Sequence, residues 1–371
     1  MDLSNCFQPS YRVSRERLLE RAHALAPRLG VTVDSRAIAQ RGPDGETLAL
    51  DFTIFGARRP TEALVLSSGT HGVEGFLGSA VQHYVLDAIL PRLRLAGDTA
   101  VILQHANNPY GFAWRRRVNE ANVDFNRNFR DRFDPGQCSP DYEQLFEALN
   151  PADLDASNEA RRWRDIGNYI GQHGERRFQQ TVAEGQYKYP QGIQFGGREQ
   201  AAGTRHLLAL VREHLAGARR LVWLDFHTGL GASGACELVT GAMPDSPSCA
   251  AARAVWGDEV KSAAGGESIS TPLNGLLDRG VEAALPPGCG FAFAFPEYGT
   301  HPFERVFRAM RADNWLHAHG DPASPQAAAI KQEMMECFRP DSREWERTVL
   351  AHAAGLVSRG LAALPGARLV G

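Results

Sequence analysis

No stretch of this 371-residue chain approaches the roughly 18 consecutive apolar residues of a membrane-spanning helix, so a helical membrane protein is excluded. The N-terminal stretch MDLSNCFQPSYRVSRER has no basic start, no continuous apolar run and no small-residue cleavage site, so a secretory leader is not expected. Cysteine is scattered. Cys6, Cys138, Cys236, Cys249, Cys289 and Cys337 form no CxxC pair and keep no regular spacing. That argues against both a thiolate zinc cluster and a disulfide framework, and a cytoplasmic location is the expectation. An excess of positive charge is also missing: 40 Lys and Arg stand against 43 Asp and Glu, for a formal net charge of -3. Neither nucleic acid nor an anionic membrane is therefore an expected partner, because phosphate binding needs clustered Lys and Arg. A small or peptidic substrate fits better, and a homo-oligomer is left open. There is no Gly-x-Ser-x-Gly elbow, and no cysteine stands in a recognisable nucleophile motif.

What is present is ordinary globular composition, 43% hydrophobic and 22% charged, in a chain long enough for a sizeable core. Ser14 to about Pro27 reads as an amphipathic helix, and Val31–Ile38 and Thr47–Phe55 read as strands parted by the turn-rich Arg41–Gly45. Two near-continuous apolar runs, Ala63–Ser68 and Ala100–Ala106, flank a helical stretch, Gly75–Leu93. A third run, Arg220–Phe226, follows a helix-like Ala201–Leu215, and a fourth is Phe291–Phe295. Strand, helix, strand with apolar strands is the pattern of a sheet buried on both faces. The prediction is an α/β fold: a doubly wound, mixed, mostly parallel sheet flanked by helices. One catalytic domain is expected over 1–371. Within it, the polar segment at about 130–200, with helices at Pro140–Ala148 and Ala160–Gln172, reads as an excursion from the sheet and not a second core. Helices are also expected over Ala327–Cys337 and Ser342–Leu364.

The chemistry-bearing residues cluster at strand ends. In SGTHGVEG, one turn of helix would bring His71 and Glu74 to the same side, where they could grip one ion; alone the pair fits a helix-start His with a solvated Glu equally well. In LDFHTGLG, His227 follows an apolar strand directly, and in open α/β sheets ligands sit outside the carboxyl ends of strands. His71, Glu74 and His227 together make a His2Glu set with an open fourth position, one of the catalytic zinc sets. In FAFAFPEYGT, Glu297 ends the fourth run after Pro296 and is the candidate to take a proton from an activated water. WRRRVNEANVDFNRNF, Trp114–Phe129, is either a solvated basic loop or a set of donors for a substrate carboxylate and a developing oxyanion. Asp124 within it could orient a ligand histidine through its second ring nitrogen.

His-x-x-Glu, then Arg-x-Asn followed by Val-Asp-Phe-Asn-Arg-Asn-Phe, then a strand-end His and a strand-end Glu, resembles the ordered pattern of the zinc carboxypeptidases and their aspartoacylase relatives. The chain looks closest to a bacterial branch of that superfamily carrying a domain-of-unknown-function label, marked by HGVEG, NPYGFAW, GQYKYPQG and DFHTGLG between about Leu64 and Thr300. The resemblance implies one zinc ion on His71, Glu74 and His227, with Glu297 as general base. It implies Arg117 as the carbonyl-polarising arginine, with Arg115 a competing choice. Asn126 and Arg127 would bind a substrate's carboxylate, and Asp124 would partner the first histidine. A mobile tyrosine has three candidates, Tyr298, Tyr187 and Tyr189. The implied activity is hydrolysis of an amide or peptide bond next to a free carboxylate; the alternatives are hydrolysis of an N-acyl amino acid or another small amide, and a non-catalytic binding protein. Arg130–Gly197 departs from the pattern of the digestive enzymes and is expected to cover the mouth of the site.

Overall fold

The computed structural model describes residues 5–370; Met1–Ser4, the start of the stretch read above for a leader, and Gly371 lie outside the described residues. No helix among the described residues is long and apolar enough to cross a membrane.

The strands are, in chain order, β1 (Val31–Arg41), β2 (Thr47–Gly56), β3 (Glu62–Ser67), β4 (Leu93–Leu95), β5 (Thr99–His105), β6 (Arg220–Asp225), β7 (His227–Thr228), β8 (Cys236–Thr240), β9 (Val260–Ser262), β10 (Gly290–Tyr298) and β11 (Ala367–Leu369). Nine of them form one sheet in the order β1-β2-β5-β3-β6-β10-β8-β9, with β7 pairing β10. The centre, β5-β3-β6-β10, is parallel, while β1-β2-β5 and β8-β10 pair antiparallel. The sheet is thus mixed and mostly parallel, as its apolar runs predict.

Alternation along the central strands divides the core. Leu64, Leu66, Val101, Leu103, Val222 and Leu224 pack on one face, with Leu18 and Ala22 of the helix Tyr11–Leu29 and with Val349, Ala353 and Leu356 of the helix Arg343–Ala362. Ala63, Val65, Ala100, Ile102, Leu221 and Trp223 pack on the other, against Leu207, Leu210 and Val211 of the helix Ala202–His214. Helices cover both faces, so the sheet is doubly wound. From β3 the chain moves outward to β5, then returns past β3 to β6. This reversal creates a crevice at the carboxyl ends of β3 and β6, where ligands sit in such folds.

Two expectations need correction. The helix expected over Gly75–Leu93 is α-helical only over Gly75–Tyr84 and then loosens into a π-turn, Val85–Ile89, and a tighter turn, Leu90–Arg92, that contains Pro91. Proline has no N–H to continue the ladder, so a regular helix ends before it. The segment at about 130–200 carries a small core of its own. Tyr142, Leu145, Leu149, Ile166, Tyr169, Phe178, Val182 and Ile193 bury one another around Phe307, which comes from the helix Phe303–His319. The helices Ala156–His173 and Glu175–Ala183 are amphipathic and supply its inner faces. A polar average over this segment conceals a one-sided apolar stripe.

Two core histidines carry an acid liability. His105, at the end of β5, is fully buried between Tyr11 and Phe112, and neither ring nitrogen has a hydrogen-bond partner. His83 is also buried, near Ser14. Burial, aided by neighbouring positive charge, pushes both down to about 3. The folded state therefore binds fewer protons than the unfolded chain between about pH 3 and the ordinary histidine value of 6.5, and stability falls with pH through that window. Each should cost about 2 kcal/mol between pH 7 and pH 5. Denaturant titrations at the two pH values should show His105→Leu losing about 2 kcal/mol less than wild type; equal losses would mean that His105 is not held neutral.

Candidate metal centre and cavity

The site is assembled at the crevice from three strand ends. After β3 the chain turns sharply, with His71 extended and Gly72–Glu74 forming a single tight turn that leads into the helix Gly75–Tyr84. The turn is fixed from below: Gly72 N–H donates to the Arg117 carbonyl at 3.0 Å and Val73 N–H to the Arg116 carbonyl at 2.8 Å. The backbones approach so closely that a Cβ on Gly72 would collide with Gly111. β6 ends at Asp225, and His227 follows in β7, which pairs in parallel with β10 so that Glu297 lies in register with His227.

His71, Glu74 and His227 are all buried, and each offers a ligand atom within 4.8 Å of the others. The two Nδ1 atoms lie 3.2 Å apart, and the Glu74 carboxylate reaches His71 Nδ1 at 3.0 Å and His227 Nδ1 at 2.8 Å. Each outer ring nitrogen lies beside a carboxylate: His71 Nε2 faces Asp124 Oδ1 at 3.3 Å, with the Arg117 guanidinium closer at 2.9 Å, and His227 Nε2 faces Asp225 Oδ2 at 2.8 Å. Carboxylates in that position fix ring orientation and strengthen the inner nitrogen as a donor. Two inward nitrogens and a carboxylate, each histidine braced from behind, are a donor set that fits zinc. A second grouping, Asp34, Glu213 and His214, lies towards the surface, and there the Arg36 guanidinium already bridges both carboxylates.

Asp225 is the member that the sequence reading missed. Besides His227 it accepts from Ser67 Oγ at 2.7 Å and Thr70 Oγ1 at 2.9 Å, so it is a fully satisfied buried carboxylate. Its signal was present, since residues two apart at a strand end share a side.

Electrostatics follow from this crowding. Burial alone would raise Glu74 and Asp124, but His71 and the arginines beside them outweigh it and hold both well below the carboxylate range. Burial would lower His227, yet Asp225 and Glu74 raise it well above the ordinary histidine value. Glu297 behaves oppositely: burial and the Glu74 charge push it up to about 8, although Leu230 N–H donates to its Oε1 at 3.2 Å.

His71, His227 and Glu297 open onto a cavity of about 160 Å³ together with Arg117, Asn126 and Arg127. Arg117 donates to Glu74 Oε1 at 2.7 Å and lies 3.3 Å from Asp124 Oδ2. Asn126 accepts from Leu277 N–H through Oδ1. Arg127 is largely tied to backbone, donating to the carbonyls of Ala183 and Asn126. The segment at about 130–200 does border the cavity, through Gln179, Val182, Ala183 and Gln194. Part of the apolar wall is one stripe of the helix Phe303–His319, formed by Phe303, Val306, Phe307 and Met310 at helical spacing, joined by Leu230, Leu276, Phe295 and Phe338.

Four candidate residues are not brought to the site. Arg115 is exposed, in a left-handed turn with φ 52°, and does not line the cavity; the buried Arg116 beside it is occupied by Asp313, Asn119 and Asn122. Tyr298 follows Glu297 in a strand, so it points to the opposite face, where it is buried and its hydroxyl meets His352 at 3.1 Å. Tyr187 and Tyr189 do not line the cavity either: the Tyr187 hydroxyl donates to the Arg127 carbonyl, and Tyr189 packs on Phe146.

Fold and site together define a doubly wound α/β protein with a buried His2Glu group able to hold a metal at the carboxyl edge of its sheet. The chain belongs to the family described as "Protein of unknown function (DUF2817)", whose model matches residues 7–352. No curated protein matches it in sequence. Among solved structures it is similar to the carboxypeptidase A of Helicoverpa armigera (14% identity, TM-score 0.45, covering 93% of this chain and 74% of that one). It is also similar to bovine thrombin-activatable fibrinolysis inhibitor in complex with tick carboxypeptidase inhibitor (12%, TM-score 0.45, covering 95% and 99%). A third similar structure is a succinylglutamate desuccinylase/aspartoacylase from Rhodobacter sphaeroides (15%, TM-score 0.38, covering 79% and 67%).

Replacing Asp225 by Asn should weaken zinc binding by roughly 10- to 100-fold, measured by competition with a chromophoric chelator. An unchanged affinity would remove Asp225 from the support of the site.

Proposed function

We propose that this protein is a single-zinc hydrolase that cleaves an amide or peptide bond next to a free carboxylate. The observation that carries the reading is the convergence of the braced His71, Glu74 and His227 group with Glu297 and two arginines on one small cavity. A structural or binding site has no use for a further carboxylate facing the cavity beside the ligand group. His71 and His227 would hold the ion through Nδ1, and Glu74 through its carboxylate. Bound there, zinc would supply Lewis acidity, polarising a carbonyl and acidifying water.

The chain's own residues do the rest. Glu297, ionised, accepts a proton from the attacking water at its carboxylate and returns it to the leaving amine. Its burial suits the second task, since a fully solvated, strongly acidic carboxyl would hold a proton too weakly. A dication at the neighbouring ligands would draw that value down and favour the ionised form at the start. Arg117, within hydrogen-bond reach of Glu74, can turn a guanidinium N–H towards the oxygen on which negative charge develops. Asn126 and the unused N–H groups of Arg127 receive the substrate carboxylate. The apolar stripe excludes water, which strengthens each of these interactions.

A second reading is a deacylase of N-acyl amino acids, with the same residues in the same roles. The cover over the cavity favours it. The inserted segment borders the cavity through Gln179, Val182, Ala183 and Gln194, which leaves less room for a long peptide than for a single acylated residue. The two readings separate by substrate and not by machinery.

Purified protein loaded with zinc should carry about one ion per chain and hydrolyse members of a panel of short peptides and N-acyl amino acids, with activity lost on chelation and restored by zinc. Glu297→Gln should retain the ion and lose roughly 100- to 10,000-fold in kcat. A variant with full metal and wild-type turnover would eliminate Glu297 as the base. Failure of the wild type to bind zinc or to hydrolyse any member of the panel would eliminate the hydrolase reading itself.

A further inference from the structure

The cavity is sorted by chemistry. Among the described residues that line it, Arg117 and Arg127 are the only arginines or lysines, and Glu297 is the only acid. All three stand beside the ligand group: Arg117 is 2.9 Å from His71, Arg127 is 3.9 Å from Asp124, and Glu297 is in register with His227. Hydrolysis next to a free carboxylate uses each of them, Arg117 for the developing charge, Arg127 for the carboxylate and Glu297 for the proton. No cation is left for a second carboxylate, and no acid for a basic group. The rest of the wall is largely apolar. Leu230, Phe295, Phe303 and Met310 line the cavity and are only partly buried, so hydrocarbon surface remains uncovered there. Such surface in a concave site is what an apolar part of a ligand covers.

This apolar surface has a direction. At one end of the stripe on the helix Phe303–His319, Val306 and Met310 pack with Phe338 against Val73, which lies in the turn between His71 and Glu74. At the other end Phe307 is buried with Phe178 and Val182 in the small core of the inserted segment, and Phe303 packs against that core. The seven-residue step from Met310 to Phe303 spans about 10 Å at the rise of an α-helix. The carboxylate-binding candidates belong to other neighbours: Asn126 Oδ1 accepts from Leu277 N–H, and Arg127 donates to the Ala183 carbonyl. With the scissile carbonyl at the metal group, the amine flank of the substrate leads to Asn126 and Arg127, and the acyl flank leads along the stripe.

Phe303 closes that line. Its ring stacks on Phe307, with centroids 5.8 Å apart and planes 4° from parallel, and meets Phe178 edge-on at 6.3 Å. Beyond it runs an outer groove walled by Trp163, Ile166, Ile170 and Phe178, and Phe303 and Phe307 line both spaces. Phe307 is core, whereas Phe303 is the first residue of its helix and only partly buried, so its ring is the removable part of the partition.

We infer that the acyl portion of the substrate is an uncharged, apolar group, and that Phe303 is a specificity-determining residue that limits its length to about 10 Å. This rests on the hydrolase reading and deepens it. The metal group and Glu297 act on the reacting atoms, whereas the stripe and Phe303 select the acyl group presented to them.

The test measures kcat/KM and calorimetric affinity for zinc-loaded wild type, Phe303→Ala and Phe303→Leu, with the N-acetyl, N-hexanoyl, N-dodecanoyl and N-succinyl derivatives of L-alanine as probes. A hexanoyl chain fits within the stripe, and a dodecanoyl chain outruns it. In wild type, hexanoyl should exceed acetyl and succinyl by about tenfold or more, since each buried methylene is worth roughly fourfold. It should also exceed dodecanoyl. Phe303→Ala joins the cavity to the outer groove, so the ratio of dodecanoyl to hexanoyl should rise by about tenfold, with a smaller rise in Phe303→Leu. Zinc content and melting temperature report whether each variant is folded, and Phe303→Leu carries the comparison if Phe303→Ala is not. A wild type that prefers succinyl, or acetyl over hexanoyl, overturns the apolar assignment. A folded variant that keeps the wild-type ratio of dodecanoyl to hexanoyl overturns the role of Phe303. Either result leaves the hydrolase reading standing as long as the wild type turns over its best probe. Absence of turnover on every probe tells against the hydrolase reading; affinities in the expected order would then still support the apolar, length-limited site, and equal affinities would overturn it.

Discussion

The hydrogen-bond chain Asp124–His71–Glu74–His227–Asp225 is the constraint on which the rest of the structure turns. Three carboxylates and two imidazoles are buried in contact, and taking that many ionisable groups from water is costly unless charge is balanced and every lone pair is used. Arg117 contributes one positive charge at Glu74 and Asp124, and Ser67 and Thr70 satisfy Asp225. His227 is driven towards its protonated form by the two carboxylates that grip it. A cation among Nδ1, Nδ1 and the Glu74 carboxylate would take over that role, so loading the site and releasing a proton are coupled. The surrounding architecture serves this cluster: parallel pairing of β3, β6 and β10 aligns three strand ends, and the docking of Gly72 against Gly111 sets the height of the first two ligands.

The segment at about 130–200 is woven into the same arrangement. Phe195 takes the N–H of Asp124, the carbonyl of Ala183 holds Arg127, the Tyr187 hydroxyl reaches the Arg127 carbonyl, and Asn128 donates to the Gly196 carbonyl. Gly185 must be a glycine for the guanidinium arm of Arg127 to pass beneath it: with φ 85°, any Cβ there would meet Arg127 Cδ. The segment's own small core makes these contacts rigid. Local order in the insertion and the position of the carboxylate-binding candidates are therefore one property.

Much of the fold was legible in the sequence, for one reason. A strand buried on both faces has to be apolar throughout, so Ala63–Ser68, Ala100–Ala106, Arg220–Phe226 and Phe291–Phe295 announce the four central strands. The other end of the sheet was not legible. β8 and β9 are short, and the helices Pro247–Trp256, Leu277–Ala284 and Phe303–His319 were not among the expected elements. In the site, His71, Glu74, His227 and Glu297 could be named because each sits at a strand end or beside one, Asp124 because it is an acid within the basic stretch Trp114–Phe129, and Arg117 through the family resemblance. Arg115 and Tyr298 were misplaced by the same proximity, since a neighbour in sequence at a strand end or turn points elsewhere.

The sequence by itself determined the residue types for the chemistry and the strands that carry them, because hydrophobic alternation and the order of polar residues at strand ends are local properties. Only the tertiary structure decided which acid braces which histidine, that Asp225 belongs to the site, and that Arg127 is held by backbone from the insertion. Each depends on contacts between residues far apart in the chain, such as Asp124 with Phe195 and His71 with His227, and no local pattern encodes their distance or direction.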